Sequence, residues 1–186
     1  FLFSCSPDSD LNTSKDLHQL VNPFIGTGGH GHTFPGATTP FGMVQLSPDT
    51  RLTGWDGCGG YHYSDDTLFG FSHTHLSGTG VSDYGDILIM PYTGQTPWDR
   101  EDYKTYFSHE KESAHAGYYQ VNLPEYGINA ELTGTPRCGV HRYVFPPNDE
   151  ARIIIDLEHR DRVLSSGFTL NENGILTWHR LSSAWA

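Results

Sequence analysis

Glycine is the feature that most limits what this chain can fold into. Fourteen of its 21 glycines fall within residues 22–91, and prolines interrupt the same stretch. Glycine costs about 0.5–1 kcal/mol inside a helix or strand, but it permits positive φ and close backbone approach. No segment carries a sustained 3.6-residue apolar period, so the sequence argues against a helical bundle and predicts shaped loops between short strands.

Alternating apolar and polar residues predict the clearest strands in the second half of the chain. Residues 118–123 and 128–133 alternate in this way, and the turn between them has the sequence Pro-Glu-Tyr-Gly, so we predict a hairpin. Residues 138–145 and 152–157 are two further strands. The Pro-rich connection between them favours a second antiparallel pair.

Weaker patterns complete the prediction of the fold. Shorter strand-like runs cover residues 42–46, 67–76, 86–90 and 175–186. Only residues 16–21 and 98–112 show any helical character. Many short strands separated by Gly and Pro turns are typical of an all-β fold, and we predict one antiparallel β-sandwich.

Charge argues against one class of partner. The chain has 11 Lys and Arg against 22 Asp and Glu, which gives a formal net charge of -11, and it has no basic cluster. Such a surface repels phosphate backbones, so we predict that the protein does not bind nucleic acid. No apolar run approaches the ~20 residues that cross a bilayer as a helix.

The first residues resemble the end of a bacterial lipoprotein signal, with an apolar run and a small residue before Cys5. Residues 1–20 would then be a signal remnant and tether, and residues 21–186 the sandwich domain. This predicts an exported protein, periplasmic or on the cell surface, that meets a membrane only through a lipid anchor at Cys5. The alternative is an ordinary cysteine in an irregular N-terminus.

Both ends of the chain suggest a longer natural protein, because it begins with Phe1 and stops inside a strand-like run. Cys58 and Cys138 show no metal-site spacing. The sequence leaves open whether they form a disulfide, since it does not place their Cα atoms.

Residues 26–31 match the G-x-G-x-x-G pattern of dinucleotide-binding loops. That pattern works only where a helix follows and directs its N-terminus at the pyrophosphate. Pro35 and Pro40 follow instead, so we interpret the loop as a shaped turn.

Histidine is the most suggestive residue type in the loops. The chain has two His-x-His pairs: His30 with His32, and His73 with His75. On an extended strand both members of a pair face one side, and a zinc site would add a third ligand such as Asp83 or Asp86. The alternatives are hydrogen bonds that fix loops to backbone carbonyls, or contacts with a polar ligand.

Trp55 and Asp56 stand between glycines in the sequence Gly-Trp-Asp-Gly. Little local cover is available for the indole, so it either caps the core or stands over a pocket where a sugar ring stacks. Asp56 would accept hydrogen bonds from the sugar hydroxyls. Glycoside hydrolysis also needs two carboxyl groups at a set separation, and the sequence does not choose among these aspartates: Asp49, Asp56, Asp65, Asp66, Asp83 and Asp86.

Several long segments resemble one known family in sequence and order. They are NPFIGTGGHGHTFPGATTPFGMVQLSPDT (residues 22–50), GWDGCGGYHYSD (54–65), GFSHTHLSGTG (70–80), GDILIMP (85–91), HAGYYQVNL (115–123) and GINAELTGTPRCGVHRYVFP (127–146). Together they resemble the N-terminal domain of glycoside hydrolase family 92, a family of exo-acting α-mannosidases. The resemblance implies a sandwich similar to the galactose mutarotase fold, followed by a larger α/α-toroid domain.

The resemblance also implies a chemistry and a division of labour. Terminal α-mannosides of N-glycans or mannan would be hydrolysed with inversion and with calcium, and the acid, base and calcium ligands would lie in the C-terminal helical domain. No catalytic or metal residue is therefore expected here, and residues 1–186 alone should be inactive. The substrate-binding residues expected in this domain are Trp55, Asp56, His30 and His32, while no roles transfer to His73 and His75. Gly57 stands where some family members have a second large aromatic residue.

Two other functions stay open at this level. One is a non-catalytic β-sandwich that binds carbohydrate. The other is a metal-dependent hydrolase built on the two His-x-His pairs.

Overall fold

The computed structural model describes residues 17–95, 97, 99–147 and 150–184. The lipid-anchor prediction at Cys5 lies outside these residues. None of the helices that they form has the length and apolar character needed to cross a membrane.

Short antiparallel strands dominate the described part of the chain. In chain order they are β1 (Ala37–Thr38), β2 (Gln45–Asp49), β3 (Thr67–Leu68), β4 (Gly70–Ser72), β5 (Leu88–Thr93), β6 (Thr105–Tyr106), β7 (Glu112–His115), β8 (Tyr118–Leu123), β9 (Ile128–Gly134), β10 (Gly139–Val144), β11 (Ala151–Asp156), β12 (Arg162–Leu170) and β13 (Leu176–Ser183). The helical pieces are one α-helical turn, α1 (Arg100–Tyr103), and the 3-10 turns Leu17–Leu20, Trp55–Gly57 and His109–Lys111.

Two sheets form the body of the domain. One has the strand order β1-β2-β4-β5-β11 and the other β10-β9-β8-β7. Two small ribbons, β3 with β6 and β12 with β13, complete the sheet structure of the described residues. All pairings are antiparallel, so the all-β class and the antiparallel sandwich are confirmed.

The core lies between the two sheets. Leu46, Phe71 and Met90 project from the first sheet, and Tyr119 and Leu132 from the second, into one cluster of buried side chains. Strand β8 alternates buried and exposed positions as its sequence predicts. The predicted hairpin of β8 and β9 is confirmed, and its turn lies between Leu123 and Ile128.

The second predicted hairpin is wrong. Strand β10 pairs with β9, whereas β11 pairs with β5 in the other sheet. The connection through Pro146 and Pro147 therefore crosses from one sheet to the other. Proline lacks the N–H that a hairpin ladder needs next to its turn, which favours such a crossover.

Other predicted strands shift at prolines. The strand expected at residues 42–46 is β2 and includes Pro48, and the one expected at 86–90 is β5 and includes Pro91. Pro91 is tolerated because β4 pairs with β5 only at Ile89, which leaves the next positions unpaired on that side. Strands β1, β6, β7 and β12 were not predicted. The helical character expected at residues 98–112 is limited to α1 and one 3-10 turn, and β6 lies between them.

Candidate functional site

Trp55 stands at the surface of the domain. It opens the 3-10 turn Trp55–Gly57 directly after Gly54, whose φ is 82°. The side chain is 60% exposed although its neighbours Gly57 and Cys58 are buried. Of the two predicted roles, a cap on the core or a surface over a pocket, the exposure of Trp55 excludes the first.

Two histidines pack against the Trp55 indole. The His32 ring lies edge-on at 4.2 Å between ring centroids, and the His30 ring lies at 5.2 Å. His30 Nδ1 is 2.7 Å from Asp56 Oδ1. This hydrogen bond from His30 is the main reason why the pKa of Asp56 is lowered from its ordinary value. All four residues expected to bind substrate are therefore brought together.

His32 has an unused polar atom inside this group. Its Nε2 is buried and lies 3.4 Å from Asp56 Oδ1, but no hydrogen bond forms, and the described residues give it no other partner. Its backbone φ is 56°, an uncommon conformation for histidine. Because this nitrogen is buried, the polar group that it faces is the Asp56 carboxylate, whose pKa His32 also helps to lower.

A recess of about 480 Å³ opens beside the indole. It is lined by Gly54, Trp55, Cys58, Gly80, Val81 and Ser82. Gly80 has a φ of +69°, and a Cβ there would lie 2.7 Å from Trp55 Nε1, so only glycine lets this loop approach the indole. The recess falls within the ~300–1,000 Å³ that small-ligand sites occupy.

One arginine bonds to the end of the Trp55 turn. Arg160 Nη2 donates to the carbonyl oxygens of Gly57 and Cys58, at 3.0 and 3.4 Å. Arg51 instead forms an ion pair with Asp65, outside the turn. Arg160 was not predicted, because nothing near it in the chain relates it to a turn about a hundred residues earlier.

The second His-x-His pair does not form one site. Strand β4 ends at Ser72, so His73 and His75 are not on a strand and face different partners. His75 Nδ1 lies 2.8 Å from the Gln45 carbonyl oxygen, and His73 Nδ1 lies 2.6 Å from that of Ile87. The alternative of loop-fixing bonds to backbone carbonyls is confirmed for this pair.

Asp49 is a buried carboxylate with two imidazole partners. His75 Nε2 lies 2.9 Å from one of its oxygens, and His159 Nε2 bonds to the other. Burial by itself would raise the pKa of Asp49, but the hydrogen bonds and charges of His159 and His75 outweigh it and hold the pKa well below the ordinary value. This carboxylate is sealed in the fold.

The remaining candidate carboxylates either bond to other side chains of the domain or are buried. Asp65 bonds to Arg51 and Thr50, Asp66 to Thr67, and Asp86 to Arg180 and Thr74. Asp83 is buried. No three His, Cys, Asp or Glu side chains among the described residues are grouped so as to hold a metal ion.

The two cysteines of the domain are not joined. Cys58 is buried beside the recess and Cys138 is exposed, and both are free thiols. Burial raises the pKa of the Cys58 thiol.

Comparison with known proteins gives a consistent match. A sequence profile of the glycosyl hydrolase family 92 N-terminal domain covers residues 20–186. The family 92 α-mannosidase BT3965 from Bacteroides thetaiotaomicron, solved with mannoimidazole, is 42% identical over 91% of this chain with a TM-score of 0.84. The family 92 inverting mannosidase BT2199 of the same species is 32% identical over 73% of this chain, with a TM-score of 0.65.

A curated relative from Arthroderma benhamiae, described as an uncharacterized secreted glycosidase, is 29% identical over 85% of this chain. The chain spans only 22% of that relative and 23% of BT3965.

Proposed function

Because this chain belongs to glycoside hydrolase family 92, with the N-terminal domain of that family at residues 20–186, we propose that the complete protein hydrolyses terminal α-mannosides and that this domain forms one wall of the pocket. The observation that supports the wall most directly is the exposed Trp55 beside the partly exposed carboxylate of Asp56. Together they offer an apolar face and a polar group to one ligand.

Each residue of the wall has a role that its chemistry suits. The open face of Trp55 stacks on the C–H face of the leaving-group sugar, as aromatic rings do with flat apolar surfaces. Asp56, which His30 holds in its ionised form, accepts hydrogen bonds from hydroxyls. His32 packs edge-on against the indole and supports its orientation.

The hydrolytic carboxyl groups are assigned to the rest of the protein. An inverting glycosidase needs an acid and a base about 6.5–9.5 Å apart, and the acid needs a raised pKa. Asp56 has a lowered pKa, and Asp49 is buried between two histidines. Neither suits an acid. Because the family resemblance implies that the acid and the base both lie in a C-terminal helical domain, we propose that both catalytic groups lie there and that residues 1–186 alone are inactive.

Calcium belongs to the same part of the proposal. The family resemblance implies this ion, but the described residues offer no cluster that fits it. We therefore assign its ligands to the C-terminal domain and derive no step through it.

Location and natural substrate complete the proposal. The curated relative from Arthroderma benhamiae is described as secreted, which supports export. A lipid anchor at Cys5 and the trimming of N-glycans or mannan are proposed from the sequence resemblance.

Mannose release from α-mannobiose by the complete protein tests this function. We expect Trp55→Ala to lower kcat/KM by roughly tenfold or more, because the leaving-group sugar loses its aromatic contact. Trp178→Ala is the matched control, since Trp178 is also partly exposed but lies in β13, outside the recess. Equal effects of the two substitutions would refute a specific role for Trp55.

A binding module without catalysis is the second candidate. It is favoured by one observation, the open aromatic recess that has no suitable pair of carboxyl groups among the described residues. Saturable binding of α-mannobiose by the complete protein, lost in Trp55→Ala and unaccompanied by mannose release, would establish it.

A further inference from the structure

A second recess lies beside the start of the glycine-rich loop. Its volume is about 340 Å³, and it is lined by Asn22, Phe24, Ile25, Thr27, Gly28, Tyr63, His109 and Glu112. Tyr63 is 46% exposed and Ile25 is 75% exposed. The recess therefore presents an aromatic and an aliphatic side chain to solvent.

Tyr63 is held in a fixed orientation. Its ring stacks on the His109 ring at 4.2 Å between centroids and 17° between planes, and Phe24 packs edge-on against it at 5.9 Å. Its backbone N–H donates to the Thr27 carbonyl oxygen. A tyrosine supported on one face in this way keeps its other face available as a platform.

His109 is oriented by a buried carboxylate. Its Nδ1–H donates to Glu112, whose side chain is 1% exposed. Glu112 also accepts from the hydroxyls of Tyr61, at 2.7 Å, and Tyr119, at 2.6 Å. Nδ1 therefore carries a proton, and the hydrogen bonds among the described residues leave Nε2 without a partner, so Nε2 can form a hydrogen bond with a ligand hydroxyl.

The second recess begins close to the residues that pack on Trp55. Gly28 lines this recess, and His30, two residues later, packs on Trp55 at 5.2 Å between ring centroids. Two residues of chain span at most about 7 Å. An oligosaccharide of a few sugar units that contacts Trp55 is therefore long enough to extend to the second recess.

We propose that this second recess binds a further hexopyranose unit of the glycan whose terminal part lies beside Trp55. Tyr63 stacks on the C–H face of that sugar, and His109 Nε2 forms a hydrogen bond with a hydroxyl. The proposal rests on the proposed mannosidase function. It makes chain length a determinant of substrate choice.

The test compares linear α-mannotriose with α-mannobiose as substrates of the complete protein. Tyr63→Ala should lower kcat/KM for the trisaccharide by roughly three- to tenfold and leave that for the disaccharide unchanged. Tyr63→Phe keeps the ring and should behave as wild type. Phe41→Ala is the control for loss of an exposed aromatic that lines neither recess.

The outcomes distinguish a failure of this proposal from a failure of the proposed mannosidase function. A loss in Tyr63→Ala that is equal for both substrates, or no loss, overturns the proposal. If the wild-type protein releases no mannose, calorimetric titration with α-mannotriose replaces the kinetics. Weaker binding of α-mannotriose by Tyr63→Ala than by Phe41→Ala then supports the recess even though hydrolysis has failed, whereas equal binding overturns it.

Discussion

Two aspartates in this domain each lie close to two histidines, but one pair of contacts is buried and the other is at the surface. Asp49 lies fully buried between His75 and His159. Asp56 lies at the surface, bonded to the exposed ring of His30 and close to the buried His32. The residue types are the same, so the difference comes from burial alone.

Burial decides what each group contributes. The Asp49 group joins β2 to the loop after β4 and to the segment that follows β11, and it has no surface from which to meet a ligand. The Asp56 group is open to solvent, where an ion pair contributes little to stability. The first therefore stabilises the fold, and the second is available for binding.

Removing the buried carboxylate should have the largest effect. Asp49→Ala leaves two buried imidazoles without their acceptor, and we expect a loss of about 3–5 kcal/mol in the free energy of unfolding. Urea denaturation followed by circular dichroism measures it. Asp49→Asn keeps the shape and should lose less; an Asp49→Ala protein as stable as wild type would show that the buried group is not structural.

Arg160, which follows His159 in the chain, links the Asp49 group to the Trp55 turn. Arg160 donates to the carbonyl oxygens of Gly57 and Cys58 at the end of the Trp55 turn. We expect Arg160→Ala to cost about 1.5–3 kcal/mol of stability, which is typical of hydrogen bonds to a charged donor. It should also lower kcat/KM in the same direction as Trp55→Ala.

Arg160→Lys separates these two effects. Lysine keeps the charge but not the planar fork that reaches two carbonyls. Recovery of stability without recovery of kcat/KM would assign Arg160 to positioning of Trp55. Recovery of both would limit its role to charge.

These contacts show where sequence reasoning ends. Alternation predicted β8 and β9 because each strand has one buried face, whereas the glycines beside Trp55 left open whether its indole caps the core or stands over a pocket. The Asp49 group was not predicted, because His159 is 110 positions away along the chain. The crossover after β10 was missed for the same reason, since sheet membership depends on partners that local patterns do not reveal.

His73 and His141 show the effect of burial on imidazoles that have no carboxylate partner. His73 Nε2 and His141 Nε2 lie 3.2 Å apart, and His141 Nδ1 meets the Tyr143 hydroxyl at 2.6 Å. Burial lowers the pKa of His73, with a further contribution from His75, and burial with the nearby His73 lowers the pKa of His141 to about 3. Both imidazoles are therefore neutral in the folded chain at neutral pH.

The sign of the pH dependence follows from these directions. Unfolded histidine titrates near 6.5, so the unfolded chain takes up these protons first as the pH falls. The two neutral histidines should therefore contribute fully to the free energy of unfolding above about pH 6.5. Below that pH the free energy of unfolding should fall, by at most about 1.4 kcal/mol per pH unit for each histidine. Asp49, with its lowered pKa, should lose its contribution only below about pH 4.

Urea midpoints between pH 7 and 4 measure this slope. His141→Gln removes one of the two imidazoles that take up a proton and should make the slope smaller. A slope unchanged in His141→Gln would refute the assignment to this pair.

The smallest stability effect should come from the exposed aspartate, and it sharpens the contrast most. Asp56→Asn removes the charge that His30 supports but leaves the turn intact, so we expect the thermal midpoint to stay within about 2 °C of wild type. Binding should nevertheless weaken, because an amide accepts fewer hydrogen bonds than an ionised carboxylate and meets a ligand hydroxyl less strongly. Thermal unfolding and kcat/KM on α-mannobiose, measured on the same preparation, check both halves. If Asp56→Asn unfolds as readily as Asp49→Asn, the surface group is part of the scaffold, and the division between a buried structural aspartate and an exposed binding aspartate fails.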